Sequence, residues 1–123
     1  MSHFVQVSLE LSNPDLLIQA LKNMGYAVVR GLRAIQNDYG SREQVDISIV
    51  GKPIGFKKSP KGYAMVADFW GLGIDRQQFV RNLKREYAKL EVSETCKKAG
   101  LVEGPWTQLE DGTLEMVAVR RRW

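Results

Sequence analysis

Hydrophobic and polar residues alternate strictly at the start of the chain. Every second residue over 5–11 is apolar, which is the period of a strand with one buried face. Helical spacing follows over 14–24, where Asn13 is a favourable N-cap and Pro14 suits the first turn of a helix. Gly25 readily adopts the left-handed conformation that ends many helices. The chain is therefore expected to begin with a strand and a helix.

Four short segments in the middle of the chain predict strands. The first, 26–29, is expected to end near Gly31, and the second, 45–49, alternates apolar with polar residues. Segments 54–56 and 63–70 have the pattern of two hairpin arms, since the residues between them are basic and include turn-forming Pro and Gly. The apolar residues of the second segment are expected to share one face: Val45, Ile47 and Ile49.

A long helix and a closing hairpin are predicted for the second half of the chain. Apolar residues at helical spacing follow Asp75, a favourable cap, and the helix is expected over 75–99. Strands are predicted over 101–109 and 113–121, joined by a turn at Asp111-Gly112. The order β-α-β-β-β-β-α-β-β predicts an α+β protein with a mostly antiparallel sheet and both helices packed on one face. One sheet is expected to contain the strands 5–11, 45–49, 63–70 and 113–121.

The bulk composition indicates a single domain, residues 1–123, of ordinary globular type. Hydrophobic residues make up 44% of the chain and charged residues 26%. No apolar run approaches the roughly 20 residues that a membrane span requires, and the start of the chain has no secretory signal pattern. A single cysteine, Cys96, excludes an internal disulfide. We therefore expect a soluble protein of the cytoplasm.

The net charge of +4 is unevenly distributed. Residues 1–51 carry four Lys and Arg against five Asp and Glu, whereas residues 52–123 carry fourteen against nine. A basic half attracts nucleic acid or an acidic protein surface, although Lys and Arg also keep small domains soluble. Charge alone leaves these interpretations open.

Residues for catalysis or metal binding are sparse in this sequence. His3 is the only histidine and Cys96 the only cysteine, so a histidine cluster or a zinc-binding set of the usual type cannot form. The segment Gly71-Leu72-Gly73 lacks the third glycine and the lysine of phosphate-binding loops. The sequence therefore favours a protein that is not an enzyme and that holds no cofactor or metal.

Asp68 is the most unusual polar residue of the predicted strand 63–70. Both faces of that strand are largely apolar, so the carboxylate is expected to be mostly buried and to need hydrogen bonds or a cationic partner. One interpretation makes Asp68 a structural carboxylate that accepts N–H bonds from the turn at 71–73. The other makes it the acid of an enzyme site. The structural interpretation is preferred.

A basic surface is the second candidate site. Its seven residues are Arg81, Lys84, Arg85 and Lys89 on the second helix and Lys57, Lys58 and Lys61 at the tip of the middle hairpin. Such a surface binds phosphates. However, Glu86, Glu91 and Glu94 interrupt the helix, and a solvated face is the default for an amphipathic helix. Nucleic-acid binding is therefore kept as the alternative function.

Two tryptophans near predicted strand ends form the third candidate site. Trp106 lies in the first arm of the last hairpin, and Trp123 follows Arg121 and Arg122. Tryptophan and arginine are enriched at protein interfaces, where they often contribute most of the binding energy. These four residues are the predicted protein-binding residues, unless Trp123 instead folds back to cover the edge of the sheet.

Several short motifs recur together in a known family. They are Met1-Ser2-His3-Phe4, Ile54-Gly55-Phe56, the 63–68 block, Phe79, Leu83, Tyr87-Ala88, Ala99-Gly100, Glu110-Asp111-Gly112 and Arg122-Trp123. As an ordered set covering nearly the whole chain, they resemble the family of the hypothetical chloroplast open reading frame thirty-five, found in cyanobacteria, algal plastids and some other bacteria. The resemblance implies a small non-secreted protein of the cytoplasm or plastid stroma, often found with an ATPase of the AAA class. It implies no catalytic residues.

These observations together predict a small non-catalytic accessory protein that binds another protein, in the assembly or regulation of a larger complex. The absence of a catalytic set and the terminal Arg122-Trp123 motivate this hypothesis. The alternative is a nucleic-acid-binding protein that uses the basic face of the second helix. An enzyme built around Asp68 is the third hypothesis.

Overall fold

Two helices and seven strands follow one another in the predicted order within residues 4–120, the part of the chain that the computed structural model describes. The elements are β1 (Val5–Leu11), α1 (Pro14–Asn23), β2 (Val28–Gln36), β3 (Arg42–Ile49), β4 (Ile54–Ser59), β5 (Gly62–Ala67), α2 (Arg76–Lys98), β6 (Leu101–Gln108) and β7 (Leu114–Arg120). The α+β class predicted from the sequence is therefore confirmed.

Five of these strands form a fully antiparallel sheet in the order β1-β5-β4-β3-β2, and β6 pairs with β7 in a separate sheet. The prediction that 113–121 joins the main sheet is therefore wrong. The reason is the length of α2, which extends about 34 Å, whereas the six-residue β5 extends about 20 Å. The α2 residues packed on the main core end at Leu90, so the last strands follow a part of the helix that lies beyond it.

Both helices pack on one face of the main sheet, as predicted. Leu17 of α1 and Leu83 of α2 belong to the same core cluster. The sheet residues of that cluster are Leu9, Ile47, Ile49, Ile54, Phe56, Tyr63, Met65 and Ala67. The helices are also joined directly, because the backbone N–H of Asn13, the N-cap of α1, donates to the Tyr87 hydroxyl at 3.0 Å. The helix layer leaves the opposite face of the sheet to be covered by other residues.

A bulge in β2 bends the hairpin that covers this opposite face. The strand does not end near Gly31, as predicted, but continues to Gln36, and its pairing with β3 changes register between Arg30 and Arg33. Gly31 has a φ of +126°, which a side chain would disfavour. Because a bulge bends and twists the strand pair, the outer half of the β2–β3 hairpin leaves the plane of the main sheet.

The outer half of this hairpin covers the face opposite the helices. Val45 does not share a face with Ile47 and Ile49, contrary to the prediction, but packs with Ile35 and Val66 in a second cluster. The physical reason is the bend and added twist of the strand pair at the β2 bulge, which turn the outer half of β3 relative to its inner half. The sheet is therefore buried on both faces, by helices on one and by its own hairpin on the other.

Gly55 of β4 makes room for this arrangement. It points to the face opposite Ile54 and Phe56, and a Cβ built there would lie 2.6 Å from both methyl carbons of Val45. Real Cβ atoms do not approach other atoms so closely, so the absence of a side chain at Gly55 is what lets Val45 reach the sheet.

Replacing this glycine should therefore destabilise the protein through Val45. Gly55→Ala is expected to lower the free energy of unfolding by about 1–3 kcal/mol, because the added methyl group overpacks the contact. The paired variant Gly55→Ala/Val45→Ala should lose less stability than the sum of the two single variants. Urea unfolding of the four proteins measures this difference, and strictly additive losses would contradict the proposed contact.

Candidate functional site

A groove between α2 and the β6–β7 hairpin brings together residues from two of the candidate sites. Its volume is about 860 Å³. The residues that line this α2–hairpin groove are Arg81, Lys84, Arg85, Ala88, Lys89, Val92, Trp106, Gln108, Glu110, Asp111, Gly112 and Leu114. The four helix cations and Trp106, which the sequence assigned to different functions, therefore line one groove.

The cations form one face of α2, because spacings of three and four residues place side chains on the same side of a helix. Lys89 Nζ lies 3.9 Å from Glu86 Oε1. Arg81, Lys84 and Arg85 form no ion pair with any carboxylate of residues 4–120. Most of the positive charge in the groove is therefore not neutralised by the described part of the chain.

Polar and aromatic contacts hold the hairpin against α2. The Ser93 hydroxyl donates to Glu103 Oε1 at 2.6 Å. Lys89 Nζ lies 5.9 Å from the centre of the Trp106 ring, within the range of a cation–π contact. Trp106 is half-buried and pairs across the hairpin with Met116. The indole is therefore a fixed wall of the groove, with Lys89 beside its ring.

Two carboxylates, Glu110 and Asp111, lie at the end of the groove in the loop between β6 and β7. The backbone N–H of Thr113 donates to Asp111 Oδ1 at 2.9 Å. Hydrogen bonds from the side chain and the backbone of Thr113 hold the pKa of Asp111 below its usual value of 3.8. The groove therefore has a positive side on α2 and a negative end at the hairpin loop.

The three lysines predicted at the tip of the middle hairpin, now β4–β5, do not line this groove. Lys57 forms an ion pair with Glu43 at 3.2 Å, and the backbone N–H of Lys58 donates to Asp46 at 2.8 Å. Lys61 is exposed. The structure brings the α2 cations together in the groove and leaves the hairpin lysines outside it.

Of the four predicted protein-binding residues, Trp106 is the one that the structure describes, because residues 121–123 (Arg121, Arg122 and Trp123) lie outside the described range. Sequence analysis did not select Val92 and Leu114, which give the groove apolar surface. A signal for Val92 was present, since it lies four residues after Ala88 on the helix. Nothing in the sequence distinguished Leu114 from other apolar strand residues.

Asp68 is buried, with 3% of its surface exposed, as the strand pattern predicts. Its Oδ1 accepts the backbone N–H of Trp70 at 2.9 Å, and its Oδ2 accepts the side-chain amide of Asn37 at 3.1 Å. The turn at 71–73, which was expected to donate, makes no hydrogen bond to this carboxylate within the described residues. Trp70 and Asn37 therefore replace the predicted donors.

Asn37 is the partner of Asp68 that sequence analysis missed. It lies 31 residues away in the chain, and its Oδ1 accepts the backbone N–H groups of Tyr39 and Ser41 at 3.1 and 2.9 Å. An asparagine in a turn-forming segment indicates a local turn of this kind, but not a distant carboxylate. The bend of the β2–β3 hairpin brings the two side chains together.

Neither a metal-binding cluster nor a membrane-spanning helix is found in residues 4–120. No group of three or more His, Cys, Asp and Glu side chains in this range is arranged to hold a metal ion. None of the helices described is long and apolar enough to cross a membrane. Cys96, the single thiol, is buried on α2.

Comparison with known proteins finds a family model that matches most of the chain and a relative of similar length. The model of a family described as "Protein of unknown function (DUF1257)" matches residues 20–117. The chain is similar to a protein of Pyropia yezoensis named "Uncharacterized protein ycf35", with 27% identity over an alignment of 128 positions that covers 100% of the chain and 98% of the relative. No solved structure matches the chain. These findings confirm the resemblance that the ordered motifs of the sequence showed.

The hydrogen bonds of Asp68 predict a structural cost when they are removed. Asp68→Ala is expected to lower the free energy of unfolding by about 1–3 kcal/mol, because the amides of Trp70 and Asn37 lose their acceptor. The exposed neighbour Asp38 provides the control, and Asp38→Ala should change stability by no more than about 0.5 kcal/mol. Thermal and urea unfolding measure both variants, and an Asp68→Ala protein as stable as the parent would overturn the structural interpretation.

Proposed function

The chain belongs to the DUF1257 family of proteins of unknown function, and on this premise we propose that it is a small non-catalytic accessory protein. It binds an acidic segment of a partner protein in the α2–hairpin groove, and this binding serves the assembly or regulation of a larger complex. The groove suits such a segment because its lining combines positive charge, an aromatic side chain and apolar surface.

The observation that carries the proposal is the set of unpaired cations beside Trp106. Arg81, Lys84 and Arg85 have no carboxylate partner among residues 4–120, and they line the same groove as the half-buried indole. Aromatic residues and arginine are enriched where proteins bind one another, and half-buried aromatic anchors contribute much of the affinity. The carboxylates of an acidic partner would form ion pairs with these cations of α2.

The remaining lining defines the partner more closely. Val92 and Leu114 offer apolar surface, so the acidic segment carries at least one apolar side chain. Glu110 and Asp111 mark one end of the groove, where a basic residue of the partner would be favourable and a further carboxylate would be repelled. The segment is thus acidic along α2 and basic or neutral near the hairpin loop.

The family resemblance suggests where such a partner is found. It supports an ATPase of the AAA class as the partner, in the cytoplasm or the plastid stroma of a photosynthetic or related bacterial lineage. Arg121, Arg122 and Trp123 remain predicted protein-binding residues in this proposal.

Nucleic-acid binding is the second candidate function, because four cations at helical spacing also suit a phosphate backbone. Two features of the groove favour a protein partner instead. Lys89 lies beside the Trp106 ring, where a base would otherwise stack. Glu110 and Asp111 would repel phosphates that continue along the groove.

Two double variants with the same change in charge test the groove. Arg81→Glu/Arg85→Glu is expected to weaken binding of a fluorescein-labelled acidic peptide containing leucine by about tenfold or more, because charge-assisted hydrogen bonds are lost. The control, Lys58→Glu/Lys61→Glu, alters exposed residues outside the groove and should leave the affinity unchanged. Trp106→Ala should weaken binding by about thirtyfold. Fluorescence anisotropy measures the affinities, and circular dichroism checks that each variant is folded.

The same measurement with a single-stranded oligonucleotide separates the two candidate functions. Oligonucleotide binding that falls steeply with salt, and that both double variants weaken, would favour the nucleic-acid alternative. Peptide binding that is equally weak in the two double variants would remove the groove from the interface. If the parent protein did not bind the acidic peptide at all, the proposed partner chemistry would be wrong.

A further inference from the structure

A second cavity lies beside the face of the main sheet that the β2–β3 hairpin covers. Its volume is about 360 Å³, and its lining comes from the outer part of β2, the end of β3, the turn that follows β3, and the residues after β5. It shares no lining residue with the α2–hairpin groove. The β2–β3 hairpin, which bends at the β2 bulge, forms one wall of this cavity.

Ser48 is the first polar residue of the cavity lining. Only 3% of its surface is exposed, and it lines the cavity. Its hydroxyl makes no hydrogen bond with any residue of the described chain. No buried side-chain nitrogen or oxygen of the described residues lacks a hydrogen-bond partner. The unbonded Ser48 oxygen is therefore accessible from the cavity, where a ligand or water can bond to it.

Asp68 is the second polar group of the lining. Its orientation is fixed, because Oδ1 accepts from Trp70 and Oδ2 accepts from Asn37. A carboxylate has about four sites for accepting hydrogen bonds, and these two bonds use only part of that capacity. Asp68 and Ser48 together can therefore receive the hydroxyl groups of a ligand.

Two cations also line the cavity. Arg33 is exposed and Lys52 is partly exposed, and neither forms an ion pair with a carboxylate of residues 4–120. Trp70, which is 61% exposed, also lines the cavity, and its ring centre lies 5.7 Å from that of Tyr39. Two cations and an aromatic side chain thus line the same cavity as Ser48 and Asp68.

We propose that this cavity binds a nucleoside monophosphate. The ribose hydroxyls donate to Asp68 and bond to the Ser48 hydroxyl, the phosphate pairs with Arg33 and Lys52, and the base packs on Trp70. Inorganic phosphate lacks the ring and the hydroxyls, and a free nucleoside lacks the anion, so neither of them matches all three parts of the lining. The volume lies within the range of about 300–1,000 Å³ that is usual for small-ligand sites.

Isothermal titration calorimetry with the full chain tests the proposal. The probes are AMP, GMP, CMP and UMP, and the comparison compounds are inorganic phosphate, ribose 5-phosphate and adenosine. At least one nucleotide is expected to bind more tightly than every comparison compound. If none of the four nucleotides bound at millimolar concentration, or if inorganic phosphate bound as tightly as they do, the proposal would be overturned.

Variants locate the binding in this cavity. Ser48→Ala is expected to weaken nucleotide binding by about fivefold through loss of one hydrogen bond. Lys52→Ala should weaken it by about tenfold through loss of a charge-assisted bond to phosphate, and Trp70→Ala by about tenfold through loss of stacking. Ser8→Ala and Lys61→Ala change exposed residues outside the cavity and should have no effect.

Each outcome of this series decides the assignment. Lys52 and Trp70 are not buried, so their variants remain informative even if Ser48→Ala reduces stability. Equal affinity in the parent, Lys52→Ala and Trp70→Ala proteins would place the nucleotide elsewhere and overturn the site. Because the α2–hairpin groove is formed by other residues, Arg81→Glu/Arg85→Glu should bind the nucleotide normally, which separates failure here from failure of the proposed function.

Discussion

The contact between Val45 and Gly55 is the constraint on which much of the structure depends. The main sheet has helices on one face, so its other face would expose apolar residues unless something else covered them. The chain covers it with the outer half of its own β2–β3 hairpin, which can approach only because position 55 has no side chain. Burial on both faces explains why β5 is apolar along its whole length.

The same bend creates the environment of Asp68. Once the hairpin lies across the sheet, Asn37 reaches the carboxylate and donates to it at 3.1 Å. A buried carboxylate without such donors would be costly. The hairpin thus provides both the cover over the sheet and the hydrogen bond that makes the buried acid tolerable, and the cavity beside Ser48 lies where these two meet.

The length of α2 determines the structure at the other end of the molecule. α2 is longer than the strands it packs on, so its last turns contact the β6–β7 hairpin instead of the main sheet. An isolated two-stranded hairpin is at best marginally stable in water, so contacts such as Ser93–Glu103 and Lys89–Trp106 are needed to hold it. The α2–hairpin groove results from this docking. It places an aromatic wall opposite a row of cations that belongs to a different element.

The sequence by itself determined the elements, their order, the α+β class and the common face of the two helices, because these follow from hydrophobic period and local capping. It also indicated the burial of Asp68, since a strand that is apolar on both faces has no exposed side. It selected Trp106 and the α2 cations by residue type, but as rival sites.

Only the tertiary structure decided which of these residues meet. Val45 packs on the other face of the main sheet because the strand pair bends at the β2 bulge, and the alternating pattern of β3 does not show this bend. The pairing of Asn37 with Asp68, the separation of β7 from the main sheet, and the common groove of Trp106 with Arg81 and Lys84 all join residues far apart in the chain. Local periodicity predicts which side of its own helix or strand a residue faces. Which other residue it contacts on that side depends on the bends and lengths of all the elements, and these are set by the fold of the whole chain.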